Sequence, residues 1–175
     1  MPVLTAPVWH APGRGSPPPR LTHLDDAGSA HMVDVTDKPV SVRRAAASAE
    51  VSCSPHAVAA LRDGAVPKGD VLAVARVAGI AAAKKVPELL PLAHVIGVHG
   101  CRVELSVEDW GVRITGEVST ADRTGVEMEA LMAVTMAGLA VVDMLKGIDR
   151  SVALRAARVT FKSGGRSGTW SRPEA

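Results

Sequence analysis

Residues 124–146 read TGVEMEALMAVTMAGLAVVDMLK, and the rest of the chain is organised around this segment. Between Ala130 and Val142 only Thr135 is polar, and the helix-favouring residues Ala, Leu and Met dominate. The segment is therefore predicted to be a helix despite Gly138. Its 13-residue apolar run is shorter than the roughly 20 residues that a membrane span needs. Because a helix that is apolar all round must be buried on every side, we predict the core helix of a soluble protein.

Titratable side chains stand at both ends of this helix. Asp143 and Lys146 are three positions apart, so they share a helix face. Glu129 and Asp143 are 14 positions apart, which corresponds to a rise of about 21 Å on nearly the same side. A single straight helix cannot bring both to one small ligand. Either a second subunit completes active sites at the two ends, or these charges only complement the helix dipole.

The composition narrows the class of protein. The 175 residues fit one domain. A net charge of +2, a single Phe and no Tyr argue against nucleic-acid binding, which uses basic surfaces and aromatic stacking. A core of small Ala and Val side chains buries little area per residue and favours oligomerisation. Two cysteines, Cys53 and Cys101, form no disulfide framework and, without a secretory signal pattern, predict a cytoplasmic location.

The predicted organisation is one domain between two tails. Residues 1–20 hold six of the twelve prolines, a composition typical of a flexible tail. The folded domain is predicted over residues 21–170, followed by a C-terminal tail at 171–175.

Local patterns predict the first half of the domain. Hydrophobic periodicity and capping residues define each element. In order, the predictions are an ordered arm containing Leu21–His23 and a short strand at Ala30–Val35, a strand at Val40–Cys53, a helix from Ser54-Pro55 to about Asp63-Gly64, a helix from Asp70 to Lys84-Lys85, and a connecting segment at Glu88–His94.

The second half contains the clearest strands. Residues 101–108 alternate between apolar and polar side chains, and the alternation resumes at Val112 after a turn at Asp109-Trp110-Gly111. The long helix follows, and Ser151–Lys162 is predicted as the last strand. This order predicts an α+β, ferredoxin-like split βαβ fold, with helices covering an antiparallel sheet.

Several titratable groups flank the ends of these elements. The Gly-rich loop at 162–168 could grip phosphate through backbone N–H groups and two cations, or be a solvated strand exit. His94, in an apolar linker, is either a core residue or a ligand. No metal site is predicted, because His94, His99 and Cys101 lack a second ligand cluster. The whole set suits acid–base chemistry on a polyphosphate: Lys68, His94, Glu127, Glu129, Asp143, Lys146, Lys162 and Arg166.

These motifs occur in a familiar order: AHMVDV at 30–35, KGD at 68–70, PLAH at 91–94, TGVEMEAL at 124–131, DMLK at 143–146 and KSGG at 162–165. The chain resembles the cyclic pyranopterin monophosphate synthase family, the molybdenum-cofactor biosynthesis protein C, over about residues 21–170. The resemblance implies a lyase without a cofactor. It converts 3′,8-cyclo-7,8-dihydroguanosine 5′-triphosphate to cyclic pyranopterin monophosphate and releases pyrophosphate. It also implies a homo-hexamer, a trimer of dimers with active sites at the dimer interface.

Residue roles follow from the same resemblance, motif by motif. It implies that Asp143 and Lys146 are catalytic, without assigning acid and base. It further implies the following substrate-binding residues: Leu92, Ala93, His94, Met128, Glu129, Lys68, Glu127 and Lys162. Many family members have Cys and Pro in place of Ala93 and Val95, and Lys in place of Arg166. Two other classes stay open as alternatives: a non-catalytic relative that binds a ligand or serves in assembly, and a ferredoxin-like nucleic-acid-binding domain.

Overall fold

The computed structural model describes residues 28–173, and the predicted tail at 1–20 and the segment Leu21–His23 lie outside them. The chain divides into a unit up to Val33 and a unit from Asp34 onward, and the fold described below is that of the second. Its elements, in chain order, are β1 (Ser41–Ser52), α1 (Pro55–Arg62), α2 (Val71–Ala83), α3 (Val86–Leu89), β2 (Gly100–Glu108), β3 (Gly111–Asp122), α4 (Glu127–Leu145), β4 (Ala153–Ser163) and β5 (Trp170–Ser171).

The strands form one five-stranded antiparallel sheet in the order β2-β3-β1-β4-β5. The central strand β1 pairs with β3 from Ser41 opposite Asp122 to Ser52 opposite Gly111. Alternate β1 residues from Ala45 to Val51 are buried beneath the helices. The predicted α+β, ferredoxin-like architecture is thereby confirmed.

Helix α4 packs across β1, β3 and β4 and against α2. It is confirmed as the core helix, and it extends over 19 residues. By length and composition it could cross a membrane, but half of its apolar window is buried inside this fold. The prediction of burial on every side is wrong for the single chain: Met128 and Leu139 are 41% and 47% exposed. The sheet and α2 cover only part of the helix circumference.

Glycine allows the helix pair to approach closely. A Cβ atom at Gly79 of α2 would lie 2.6 Å from the backbone oxygen of Ala133 in α4. Any larger side chain would therefore push α2 away from α4. The buried core around this contact consists mainly of Ala and Val, as the composition predicts.

Capping residues fix the starts of α1 and α2 as predicted. The Ser54 hydroxyl accepts the Ala57 N–H at 3.3 Å, and the Asp70 carboxylate accepts the Ala73 N–H at 2.9 Å. The connection after α2 was predicted without a helix. Instead, a short helix, α3, begins there. Pro87 lies in its first turn, where a missing N–H is tolerated, so the proline that prevents α2 from continuing is compatible with the start of α3.

Two strand predictions are wrong. Residues 31–35 form no strand, and Ala30 occupies only an isolated bridge position. The Asp34 carboxylate accepts the Thr36 N–H at 2.8 Å, and Val35 O accepts the Lys38 N–H at 3.0 Å, so the chain turns there. At the other end, β4 is not the last strand. The two-residue β5 follows the Gly-rich loop and pairs with Phe161 and Lys162.

Strand β2 lies at one edge of the sheet, and α2 reaches over to it. The Arg76 Nε–H donates to the backbone oxygen of Val103 at 3.2 Å. Arg102 and Glu104, on either side of Val103, are exposed. The edge strand thus carries charges and has one of its backbone acceptors occupied.

Candidate active site

Three predicted residues meet at the C-terminal end of α4. We call Lys68, Asp143 and Lys146 the lysine–aspartate cluster. The Lys146 Nζ lies 2.7 Å from Asp143 Oδ1, and the Lys68 Nζ lies 3.1 Å from Oδ2. Hydrogen bonds from Lys146 and from Lys68 lower the pKa of Asp143 below its ordinary value of 3.8. The cluster therefore presents an ionised carboxylate between two ammonium groups at neutral pH.

Backbone structure explains how these side chains meet. Asp143 lies in the last turn of α4 and Lys146 is the residue that caps it, so the pair shares one face. Lys68 comes from the loop between α1 and α2, where Gly69 has φ +100° and its N–H bonds to Val66 O at 3.0 Å. That turn brings the Lys68 Nζ to the Asp143 backbone oxygen at 2.7 Å. Sequence spacing predicted the first pairing, and only the fold shows the second.

The remaining predicted residues gather around the N-terminal end of α4. A cavity of about 280 Å³ lies there, and we call it the helix-start pocket. Its lining comprises Leu92, Ala93, His94, Ile96, Thr124, Gly125, Glu127, Met128 and Glu129. Of these, Ile96, Thr124 and Gly125 were not predicted as site residues, although two of them belong to the TGVEMEAL motif.

The carboxylates of this pocket differ in their surroundings. Glu129 is only 3% exposed, and burial raises its pKa above the ordinary value of 4.5. Glu127 Oε1 lies 3.7 Å from the Lys162 Nζ, which also donates to the Ser167 hydroxyl at 2.5 Å. Lys162 thus joins the pocket to the Gly-rich loop.

The segment that carries His94 is fixed by hydrogen bonds to the sheet. The buried Thr120 hydroxyl donates to Gly97 O at 2.5 Å, and the His99 N–H donates to Ser119 O at 3.0 Å. A turn with the Ala93 N–H on Leu90 O at 3.0 Å precedes them. These bonds hold the end of an irregular segment against β3, and the residues before it line the helix-start pocket.

The Gly-rich loop lies against a cation that sequence reasoning missed. A side chain at Gly165 would collide with the guanidinium of Arg43, and the Arg43 Nη2 donates to Arg123 O at 3.1 Å. Arg43 therefore links this loop to the segment that leads into α4. Arg43 belongs to no sequence motif, so its place beside the Gly-rich loop becomes visible only in the folded structure.

The two groups of residues are separate within one chain. By the helix rise, Glu129 and Asp143 lie about 21 Å apart. A larger depression of about 710 Å³, lined in part by Arg44, Arg102 and Glu117, contains none of the predicted site residues. In residues 28–173, no three His, Cys, Asp or Glu side chains gather in a way that could hold a metal ion.

Comparison with known proteins assigns this arrangement to a family. A model of the MoaC family matches residues 32–165, a range that contains both groups of residues. The chain belongs to the MoaC family. The resemblance found in the sequence motifs is thereby confirmed.

Individual relatives cover nearly the whole MoaC-family chain, and each is named cyclic pyranopterin monophosphate synthase. The Streptomyces avermitilis protein is 52% identical over 166 residues, covering 92% of this chain and 98% of the relative. The Streptomyces coelicolor protein is 53% identical, covering 89% and 92%. The Thermomicrobium roseum protein is 49% identical, covering 88% and 94%.

Proposed function

We propose that this protein is a cyclic pyranopterin monophosphate synthase of molybdenum cofactor biosynthesis. It converts 3′,8-cyclo-7,8-dihydroguanosine 5′-triphosphate to cyclic pyranopterin monophosphate and, as a lyase, releases pyrophosphate. The observation that carries this proposal is the 52% identity along 92% of the chain to a relative of that name. The geometry of the two groups of residues supports it.

The lysine–aspartate cluster has the groups that the proposed reaction needs. Opening the imidazole ring of the dihydroguanine and closing a cyclic phosphate both require proton transfers. The Asp143 carboxylate is ionised and can accept a proton, and the Lys68 and Lys146 ammonium groups that contact it can donate one. Two cations beside one carboxylate also leave positive charge available for developing negative charge.

The helix-start pocket suits substrate binding. Its cavity combines apolar walls with His94, Glu127 and Glu129, a composition that can hold a purine-derived ring by its edges. Lys162 and the backbone N–H groups of the adjoining Gly-rich loop suit the triphosphate, because cations and loop amides bind phosphate oxygens. We assign substrate binding to Lys68, Leu92, Ala93, His94, Glu127, Met128, Glu129 and Lys162.

The separation of the two groups supports an assembly with shared sites. We propose a homo-hexamer, a trimer of dimers, in which the lysine–aspartate cluster of one subunit faces the helix-start pocket of another. The exposed apolar residues Val77 of α2 and Leu139 of α4, 66% and 47% exposed, offer surface for such association. The free thiols of Cys53 and Cys101 support a cytoplasmic location.

Incubation of the purified protein with the cyclised triphosphate tests the reaction. The wild type should form the pyranopterin and pyrophosphate in a 1:1 ratio, because the proposed reaction releases one pyrophosphate for each pyranopterin formed. The Asp143→Asn variant is the matched control, because it keeps the size of the side chain and removes its charge. If the wild type forms neither product while it binds the triphosphate, the chain is a ligand-binding relative and the proposal is wrong.

A further inference from the structure

One buried carboxylate belongs to neither the cluster nor the pocket. Asp149 is 8% exposed. Its Oδ2 accepts the Ser54 N–H at 2.6 Å, and its Oδ1 accepts the N–H and the hydroxyl of Ser151 at 2.8 and 2.6 Å. Bonds from Ser151 and from Ser54 lower the pKa of Asp149 to about 2, so the group is ionised at neutral pH. Within residues 28–173 no cation forms an ion pair with it.

These bonds connect two segments that are 95 positions apart in the sequence. On one side, Ser54 is the residue that caps the start of α1. On the other, the N–H groups of Ile148 and Asp149 both bond to Leu145 O at 2.9 Å, and Leu145 is fully buried. The carboxylate therefore attaches the end of α4 to the beginning of α1.

Both attached segments lead directly to the lysine–aspartate cluster. Lys146 lies three positions before Asp149, and the chain after α1 reaches Lys68, whose ammonium group contacts Asp143. Ser54, α1, Lys68, the end of α4 and Asp149 thus form a ring that is closed partly by hydrogen bonds and partly by the chain itself. The Asp143 and Lys146 side chains are 58% and 61% exposed, so packing alone does not fix them.

We propose that Asp149 is a positioning residue for the reaction, which holds the end of α4 so that Asp143 and Lys146 meet Lys68. This inference rests on the function proposed above. Bonds to an ionised acceptor are short and strong, and they close the ring without a side chain that would enter the cluster. Loosening the ring displaces the reacting groups, and small displacements of such groups slow catalysis severely.

The test compares three variants of the full-length protein. Asp149→Asn keeps the shape but turns one acceptor oxygen into an NH₂ group that cannot accept a hydrogen bond. It should lower kcat by about tenfold or more and raise KM by a smaller factor, because Lys162 and the helix-start pocket are untouched and only Lys68 among the substrate-binding residues belongs to the ring. Ser151→Ala, which removes one of the three bonds, should give a smaller loss of kcat.

Ser54→Ala is the matched control. It removes the hydroxyl, which caps α1 and interacts only weakly with Asp149, but it keeps the backbone N–H that donates to Asp149 at 2.6 Å. It should lower the melting temperature with kcat within about twofold of the wild type. The proposal is overturned if Asp149→Asn keeps its kcat, or if it and Ser54→Ala lose kcat in proportion to their losses of melting temperature. Should Asp149→Asn fail to fold, the comparison of Ser151→Ala with Ser54→Ala decides in the same way.

Hydrogen exchange gives a readout that does not depend on turnover. Asp149→Asn should increase exchange in residues 145–151 and also in residues 66–70, the segment of Lys68. Ser54→Ala should increase it only around residues 54–58. If the wild type lacks activity, the proposed function fails, yet this comparison still tests the ring. Unchanged exchange at 66–70 in Asp149→Asn would refute the ring itself.

Discussion

The two ends of α4 carry carboxylates in opposite environments. Asp143 is exposed and contacts two lysines, whereas Glu129 is buried and, among the described residues, forms no ion pair. Hydrogen bonds from Lys146 and Lys68 lower the pKa of Asp143, and burial raises the pKa of Glu129. The environment at each end, rather than the type of side chain, determines which proton state is favoured.

This difference suits a shared site. One carboxylate readily stays ionised and the other more readily holds a proton, which is the division that acid–base catalysis uses. Neither end alone has both properties. Variants at the two ends of α4 can show whether the ends act together and what each contributes.

The largest effect is expected from removing either carboxylate. Asp143→Ala and Glu129→Ala should each lower turnover by roughly 10²–10⁴-fold, the range of positioned acid–base groups. Mixing the two inactive proteins under subunit exchange should restore about a quarter of wild-type activity, because random pairing makes half of the dimers mixed and each mixed dimer has one intact site. Steady-state assays, with exchange verified by mass spectrometry, measure this recovery.

Asp109→Ala is the control for this experiment. Asp109 forms a surface ion pair with Arg62 at 2.7 Å, outside both groups of residues, so its loss should leave turnover unchanged. If the mixture stays inactive although subunits exchange, the ends of α4 serve separate purposes and the shared site is wrong.

Removing Lys68 or Lys162 should lower activity less than removing either carboxylate. The two substitutions should also differ in how they change the pH dependence of kcat. Lys68→Ala and Lys162→Ala should each weaken substrate binding by about 1–3 kcal/mol, and high salt should reduce the difference from the wild type. Only Lys68 also contacts Asp143. Removing this cation raises the pKa of Asp143, so the acidic limb of the kcat profile should move to higher pH in Lys68→Ala alone.

KM and kcat measured against pH for both variants, with the exposed Lys84→Ala as control, separate these effects. An unchanged KM in both variants would exclude a phosphate-binding role. Equal shifts of the acidic limb in both would contradict the specific coupling of Lys68 to Asp143.

Glu129→Gln should stabilise the fold, whereas most substitutions of buried residues destabilise it. Because the folded-state pKa of Glu129 lies above its ordinary 4.5, ionised Glu129 destabilises the fold at neutral pH. This cost disappears as the pH falls through the raised pKa towards 4.5. The variant should therefore melt a few degrees above the wild type at pH 7–8, with the difference shrinking near pH 4. Calorimetry at both pH values tests this. A variant that is less stable than the wild type at pH 8 would show that the ionised carboxylate does not destabilise the fold.

The smallest effect is expected from removing residues 1–20. None of the predicted site residues lies in this segment, and terminal segments of such composition usually tolerate truncation. Oligomeric mass and kcat/KM of the truncated protein should match those of the full chain within error. A large loss of activity would mean that this segment contacts the site.

The sequence allowed most of the fold to be predicted, because each element has a local signal. Ser54-Pro55, Asp70 and the alternation in β2 and β3 are short-range features, and the elements follow from them. The predictions failed where tertiary context decides. β5 has two residues and forms only because β4 lies beside it, and α4 is less buried than its composition indicated.

Part of the candidate site could likewise be predicted from the sequence, and part could not. The Asp143–Lys146 pairing follows from helix spacing, whereas the Lys68–Asp143 contact joins residues 75 positions apart and requires the fold. Arg43 and Asp149 gave no signal for the same reason. Each lies in a stretch without a motif, and a partner that gives it a role comes from a distant part of the chain: Arg123 for Arg43 and Ser54 for Asp149.

The charged residues and the occupied Val103 carbonyl of strand β2 bear on how copies of this chain would meet in the proposed hexamer. An open sheet edge invites a strand from another chain, and that route leads to exchange and aggregation. Here Arg76 occupies the Val103 carbonyl at one edge, and the opposite edge is a strand of only two residues. The charges and the occupied carbonyl on β2, and the shortness of β5, make both edges poorer templates for an added strand. In the proposed hexamer, copies of this chain are therefore not expected to join their sheets edge to edge.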